Sequence, residues 1–193
     1  MTQKKISAQI GILVLIVFMV AFSRLLPYLF GVQETFNFSP LAAVALFGGA
    51  YFTNRSSAFI FPLLALWASN LILDNVFLSQ YYDGFALFAN WEGYLAILGI
   101  VGLAMIVLKK VTLPRVIGAS LMASIMFFLV TNFFVWLNSG MYPKSIGGLA
   151  ECFTLAIPFF RNTLTGDMVF SVLLFGLYEM AAFKFPFLKY KTV

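Results

Sequence analysis

Short polar loops divide the chain into apolar segments of about 16 to 24 residues, and this segment length limits what the chain can fold into. Crossing the hydrocarbon core of a membrane takes ~20 predominantly apolar residues in a helix. We therefore predict an all-α membrane protein, a bundle of six transmembrane helices. The second span is the shortest and is compatible with a tilted, broken or partly re-entrant helix. The predicted spans are residues 8–29, 38–53, 58–78, 92–109, 114–137 and 163–183.

The composition also favours a surface that faces lipid. Hydrophobic residues make up 62% of the chain and charged residues only 10%, whereas a soluble domain carries ~25% charged residues. The apolar run after Lys4 and Lys5 continues past residue 22, too long for the core of a cleavable signal peptide. No long polar linker divides the chain, so we predict a single integral membrane domain over residues 1–193.

The positive charges orient the predicted bundle. With six spans, nine of the twelve Lys and Arg residues fall on one side of the membrane, and Arg24, Lys144 and Arg161 remain for the other. The positive-inside rule then places both termini in the cytoplasm. The net charge of +5 is explained by these flanking cations, so no nucleic-acid partner is expected. The nine are Lys4, Lys5, Arg55, Lys109, Lys110, Arg115, Lys184, Lys189 and Lys191.

Two residue types limit the chemistry. Histidine is absent and Cys152 is the one cysteine. These counts exclude a Cys/His zinc site, a histidine-based catalytic triad and an intrachain disulfide. We expect no metal and no cofactor. Cys152 fits a small apolar packing residue, and the alternative is a soft ligand for a metal-bearing substrate.

Small residues recur at four-residue spacing in three of the predicted spans. Such spacing lets helices approach closely in lipid, so we expect contacts inside the bundle. Near the cytoplasmic end, Glu179 lies beside Lys184 and fits a solvated or paired helix end. The small-residue pairs are Ala45/Gly49, Ala65/Ser69, Ala119/Ala123 and Ser120/Ser124.

Five polar residues, spread over four of the predicted spans, fall at similar predicted depths in the outer half of the membrane. A charge at this depth is costly unless it faces a partner or a wet cavity. We therefore predict one outward-facing, ligand-binding cavity. Another interpretation is that Arg24 and Asp167 form a buried pair between the first and last helices. The five residues are Arg24, Asn70, Asp74, Asn132 and Asp167.

The stretch "AIPFFRNTLTGDMVF", residues 156–170, is the most polar part of the last predicted span. We expect Pro158 to end a short helix on the outer rim, formed from residues 144–158. Asn162 would then cap the last span, and Arg161 would add a cation at the cavity mouth. A helix N-terminus with a neighbouring cation suits a carboxylate, a phosphate or a polar amide of a ligand.

Several motifs resemble a bacterial family that is catalogued as a domain of unknown function. The resemblance implies that its members are membrane transport proteins. That family is similar to the S-components, the substrate-binding subunits of energy-coupling-factor transporters. The resemblance implies six helices, a cavity for a vitamin-like metabolite and a multi-pass location in the bacterial cytoplasmic (inner) membrane. The motifs are "FSRLLP" (22–27), "NFSPLAAVALFGGAYF" (37–52), "FPLLALWASNLIL" (61–73), "FFLVTNFFVWL" (127–137) and "AIPFFRNTLTGDMVFSVLLFGLYE" (156–179).

The leading hypothesis is thus a substrate-binding membrane transport protein for a small molecule. The chain lacks a G-x-x-x-x-G-K-[ST] loop, so energy would come from ATPase or coupling subunits or from a gradient. One alternative is a non-catalytic accessory or scaffold subunit of a membrane complex. A membrane-embedded enzyme is less favoured, because without histidine only Asp74 and Asp167 could act as acid or base.

Overall fold

The structure is a computed structural model that describes residues 3–32 and 38–188, with side chains described for 9–32, 38–186 and 188. Within these ranges the regular secondary structure is all helical, as predicted. The predicted positions of Lys189 and Lys191, and the side chains of Lys4 and Lys5, lie outside the described residues. The helices are α1 Gln3–Phe22, α2 Leu26–Leu29, α3 Leu41–Tyr51, α4 Arg55–Ile72, α5 Trp91–Val107, α6 Leu113–Asn138 and α7 Ile146–Lys184. Six principal helices of the described residues, α1 and α3 to α7, form one bundle.

Four helical stretches are long and apolar enough to cross a membrane, namely Gln9–Leu29, Arg55–Phe77, α6 and α7. The first joins α1 to α2 through the 3₁₀ turn Ser23–Leu25, and the second adds the π-helical turn Leu73–Phe77 to α4. Helices α3 and α5 are apolar but shorter. Many large apolar side chains remain exposed on the surface of the bundle, among them Met19, Ile106 and Leu177. These features are compatible with a membrane protein.

The short helix α3 forms the centre of the bundle. It has 11 residues, and ten of them are buried, because α3 contacts α1, α4, α5, α6 and α7. At ~1.5 Å per residue it spans ~16 Å, about half of a bilayer core. The short second span in the sequence is therefore a short, enclosed helix.

Small residues allow the neighbours of α3 to approach it closely. A Cβ atom at Gly49 would lie 2.6 Å from the Cβ of Ala104, and one at Gly48 would lie 2.6 Å from Cγ of Pro62. Ala65, Ser69, Ala119, Ala123, Ser120 and Ser124 are all completely buried. The small-residue spacing therefore serves contacts inside the bundle, as predicted.

Helix α7 differs from the prediction. It runs without a break over 39 residues, and Pro158 lies inside it. Its N-cap is Ser145, whose side chain accepts a hydrogen bond from the Gly148 N–H, so Asn162 lies in the helix interior. The predicted turn at Pro158 and the predicted cap at Asn162 are wrong. The prediction failed because proline removes one helical hydrogen bond, and packing of a long apolar helix can compensate for that loss.

The end of the bundle that holds both described chain termini is closed by aromatic and polar contacts. Phe47 and Tyr51 of α3 pack on Phe175 and Tyr178 of α7, with ring centroids 4.4–5.5 Å apart. The Tyr51 hydroxyl donates to Glu179 at 2.5 Å, so Glu179 is a paired helix end, one of the two predicted possibilities.

Candidate ligand-binding site

Asp167 is the most enclosed charged side chain in the candidate site, with 1% of its surface exposed. Its carboxylate accepts hydrogen bonds from the backbone N–H of Ala42 at 3.2 Å and from the Ser124 hydroxyl at 2.8 Å. Ala42 is in the first turn of α3, and the N-cap of that helix, Pro40, provides no side-chain cap. Asp167 of α7 therefore supplies the side-chain cap that α3 lacks in its own sequence.

Arg24 makes its hydrogen bonds on another side of the bundle. Its guanidinium donates to Oδ1 of Asn70 at 2.7 Å and to the Ser69 hydroxyl at 3.3 Å. The 3₁₀ turn after α1 is thereby joined to α4. Because Arg24 and Asp167 each have other partners, the proposed direct pair between the first and last helices is wrong.

Asp74 belongs to the same polar network as Arg24 and has 2% of its surface exposed. The Tyr82 hydroxyl donates to its Oδ1 at 3.3 Å, and Nδ2 of Asn90 donates to the Tyr82 oxygen at 3.0 Å. Arg24 is close enough to attract the Asp74 carboxylate. Tyr82 and Asn90 lie in the loop between α4 and α5, so this loop covers Asp74.

The loop over Asp74 is fastened by Asn75. Its amide donates to the carbonyls of Leu71 and Ala86, at 2.8 and 2.9 Å, and its oxygen accepts from the Ala86 N–H at 2.8 Å. The Trp67 indole also donates to the Leu87 carbonyl at 3.2 Å. The two neighbouring tyrosines of this loop differ. Tyr82 bonds to Asp74 and Asn90 inside the protein, whereas Tyr81 is 74% exposed.

Two neighbouring cavities occupy the space around Asp167. The smaller measures about 80 Å³ and is bordered by both Arg24 and Asp167, together with Ser39. The Ser39 hydroxyl is buried and forms no hydrogen bond with any described residue. The larger cavity measures about 240 Å³ and shares two lining residues with the smaller one, Phe127 and Thr163. Its other lining residues are Phe128, Thr131, Asn132, Ala156, Phe159 and Phe160.

The larger cavity lies between α6 and α7, where the two helices do not pack side by side over equal lengths. Ser124 contacts Asp167, while the Cys152 thiol donates to the Asn132 carbonyl at 3.5 Å. Between these contacts α6 covers eight residues and the antiparallel helix α7 covers fifteen, so two straight helices lying side by side cannot satisfy both. Pro158 lies within this stretch of α7, and an internal proline is a usual cause of a helix bend.

The structure brings together part of the set of residues predicted to bind a ligand. Arg24, Asn132 and Asp167 border the two cavities. Asn70 and Asp74 lie beside them in the Arg24 network, and do not line either cavity. Arg161 is exposed and Asn162 is half-buried, and neither lines the cavities.

Sequence reasoning missed several residues of this site. Ser124 was assigned only to helix packing, but it also donates to Asp167. A serine one turn from Ser120, in a bundle with a carboxylate inside another predicted span, is a signal that could have identified it. The hydroxyl groups of Ser39 and Thr163 and the four phenylalanines gave no such signal, because similar residues occur throughout the chain.

Cys152 is 2% exposed and packs against α6, which fits the packing role. Among the described residues, no group of three or more His, Cys, Asp or Glu side chains could hold a metal ion. Asp167 and Asp74 have separate partners, and neither touches the other's network.

Comparison with known proteins gives a family without a function. No curated protein and no solved structure matches the chain. The model of a family of unknown function, DUF6580, matches residues 4–188. Because this match covers nearly the whole sequence, the chain belongs to the DUF6580 family of unknown function.

Proposed function

We propose that this chain is a substrate-binding membrane transport protein that takes up a small, vitamin-like metabolite. The observation that carries the proposal is the pair of neighbouring cavities bordered by Arg24, Asp167 and Asn132, from three different parts of the bundle. A scaffold subunit has no need to keep space next to a buried carboxylate and a guanidinium. A binding protein does, because a ligand can supply the hydrogen-bond partner that the buried Ser39 hydroxyl lacks among the described residues.

The walls of the cavities suit a small ligand with a polar end. Arg24 and the unpartnered hydroxyl of Ser39 offer donors at the smaller cavity, and Phe128 and Phe160 offer apolar contact at the larger one. Together the two volumes come to the lower end of the ~300–1,000 Å³ usual for ligand pockets. The ligand would therefore be compact.

The proposal includes an orientation in the bacterial cytoplasmic membrane. The side rich in Lys and Arg faces the cytoplasm, in accordance with the positive-inside rule, and the cavities then lie in the outer half. Arg55 and Lys109 are on the cytoplasmic side in this arrangement, and the loop between α4 and α5 is outside. Energy for uptake would come from ATPase or coupling subunits, as in the S-components that the sequence resembles, or from a gradient.

Filling the cavities tests the binding function. Thr163 lines both cavities, so Thr163→Trp should occupy the space of the ligand. Mass spectrometry of the native, lipid-extracted protein should find a metabolite with the wild type that is lost from this variant. Adding that metabolite back should raise the melting temperature of the wild type only, since a ligand stabilises the state that binds it.

The matched control is Val169→Trp, which places the same side chain at an exposed position of α7. This variant should retain the metabolite. A wild type that carries no small molecule, or two tryptophan variants that retain it equally, would contradict the binding function and favour the accessory subunit.

Thiol labelling tests the orientation. In a Cys152→Ala background, cysteine at the exposed position Gln80 should react with a membrane-impermeant reagent in intact cells, and cysteine at Lys110 should not. The same experiment extends to Gln33, expected outside, and to Lys4 and Val193, expected inside. Labelling at Lys110 or at either terminus would contradict the orientation.

A further inference from the structure

A cavity with both apolar and cationic lining lies at the opposite end of the bundle from Asp167. It measures about 700 Å³ and is formed by the end of α3, the start of α4 and the end of α5. The space exists because α3 is short and ends at Tyr51. The residues that follow Tyr51 line the floor of the space. We call this space the α4–α5 groove. Its apolar lining includes Phe52, Phe59, Ala104, Met105 and Ile106.

Two cations, Arg55 and Lys109, are the only charged side chains of the described residues that line the groove. Both are exposed, and neither pairs with a carboxylate in the described part of the chain. Arg55 is the first residue of α4, where the positive end of the helix dipole disfavours a cation. The dipole of α4 therefore does not stabilise this cation, and an anion between the two cations would.

We propose that the α4–α5 groove binds one anionic phospholipid. This inference requires that the chain is inserted in a membrane and does not depend on transport. The lipid phosphate would lie between Arg55 and Lys109, and an acyl chain would fill the apolar floor beside Phe59 and Met105. Basic pockets between membrane helices at the cytoplasmic boundary suit this combination of charge and apolar surface.

A lipid fits the groove better than a protein partner does. A flexible acyl chain can follow an irregular floor made of side chains from three helices, whereas a helix needs a straight apolar groove. The rim of the groove carries positive charge only, which complements a phosphate. Ile106, on the lipid-facing edge, is 72% exposed, so a lipid could enter sideways.

Native mass spectrometry of the delipidated protein in detergent tests the inference. Phosphatidylglycerol is titrated in, with phosphatidylcholine as the zwitterionic comparison. Each cation near a membrane surface changes anionic lipid binding by about fivefold. Arg55→Gln/Lys109→Gln should therefore weaken phosphatidylglycerol binding by about twenty-five-fold, with little change for phosphatidylcholine.

The matched control is Arg115→Gln/Lys184→Gln, which removes the same charge from exposed cations that do not line the groove. It should retain binding of phosphatidylglycerol. An equal loss in both double variants would mean attraction to the general surface charge and would overturn the proposal. Glycerol phosphate that binds as tightly as the lipid, or a protein dimer formed through this face, would overturn it as well.

Discussion

Two buried carboxylates at similar heights in the bundle are stabilised in different ways. Asp74 follows the start of its helical stretch by 19 residues, and Asp167 precedes the end of α7 by 17, or ~28 and ~26 Å along the helix axis. Asp167 accepts from the backbone of α3 and from Ser124 on α6. Asp74 accepts from Tyr82 in a surface loop and lies near Arg24.

The difference lies in what each carboxylate holds together. Asp167 connects three helices, and one of its partners is a main-chain group at the start of the enclosed helix α3. Asp74 connects a helix end to a loop, where water can replace a lost partner. Burial alone does not separate them, since both are at most 2% exposed. We therefore expect the fold to depend more on Asp167 than on Asp74.

The largest effect is expected for Asp167→Ala. This change removes the acceptor of the Ala42 N–H and of the Ser124 hydroxyl, and leaves both donors buried. Lost hydrogen bonds to a charged group and a lost helix cap together should lower the free energy of unfolding by ~3 kcal/mol or more. Denaturant titration in detergent micelles measures this loss.

Two further variants calibrate that result. Asp167→Asn keeps one acceptor oxygen and should lose about half as much stability. Thr165→Ala, an exposed neighbour bonded only within α7, should change stability by less than ~0.5 kcal/mol. A loss for Asp167→Ala no greater than that for Asp74→Ala would refute the proposed difference between the two carboxylates.

The next effect is expected for Gly166→Ala, which acts on the geometry of the same contact. The added Cβ would lie 2.9 Å from the Ser39 nitrogen and 3.2 Å from the Phe38 carbonyl carbon. The segment that enters α3 must then shift, and overpacking of this kind costs ~1–3 kcal/mol. Thermal unfolding in detergent should show the loss.

Gly176→Ala is the control for this change, because it lies on the same helix and its Cβ would meet nothing within 4 Å. Alanine should stabilise that position by up to ~1 kcal/mol through its higher helix propensity. Equal melting temperatures for the two alanine variants would mean that the approach of α7 to residues 38–39 is not tight.

The general architecture was accessible from sequence because it follows from segment length and apolar content. The predicted first, third, fourth and fifth spans overlap closely with the helical stretches Gln9–Leu29, Arg55–Phe77, α5 and α6. The shortness of the second span was also visible, because few apolar residues separate Phe38 from Thr53. That α3 would lie enclosed among five helices could not be read from its own residues.

Tertiary contacts explain what the sequence could not show about the site. Pro158 is a strong local signal for a helix end, but packing along α7 keeps the helix continuous. The partner of Asp167 is a backbone N–H, and every residue except proline has one, so no residue type identifies it. Matched depth grouped Arg24 with Asp167, and in the structure both residues border the smaller cavity, but depth cannot determine which groups bond directly.

A smaller effect is expected in the loop that covers Asp74. Asn75→Ala removes three hydrogen bonds, two of them to Ala86. Water can satisfy part of the freed backbone, so the stability loss should be ~1–2 kcal/mol. The loop should also be cut faster in limited proteolysis. Asp167→Ala, compared at a temperature where both variants are equally stable, should not show this faster cleavage. Unchanged cleavage would show that Asn75 does not hold the loop.

The smallest effect is expected for Tyr82→Phe. The hydroxyl donates to Asp74 and accepts from Asn90, and its loss near water should cost ~0.5–1 kcal/mol at pH 7.

Burial raises the pKa of Tyr82 above its usual value, and the negative charge of Asp74 adds to this rise. A tyrosine in the unfolded chain ionises near pH ~10, so the protonated hydroxyl stabilises the fold fully below that pH. Its contribution is lost as the pH rises through the higher pKa of the folded state. The stability difference between wild type and variant should therefore be constant from about pH 6 to 9 and shrink above ~10. A difference that instead persists unchanged in alkali would mean that Tyr82 is as accessible to water in the folded chain as in the unfolded one, and the loop would not cover Asp74.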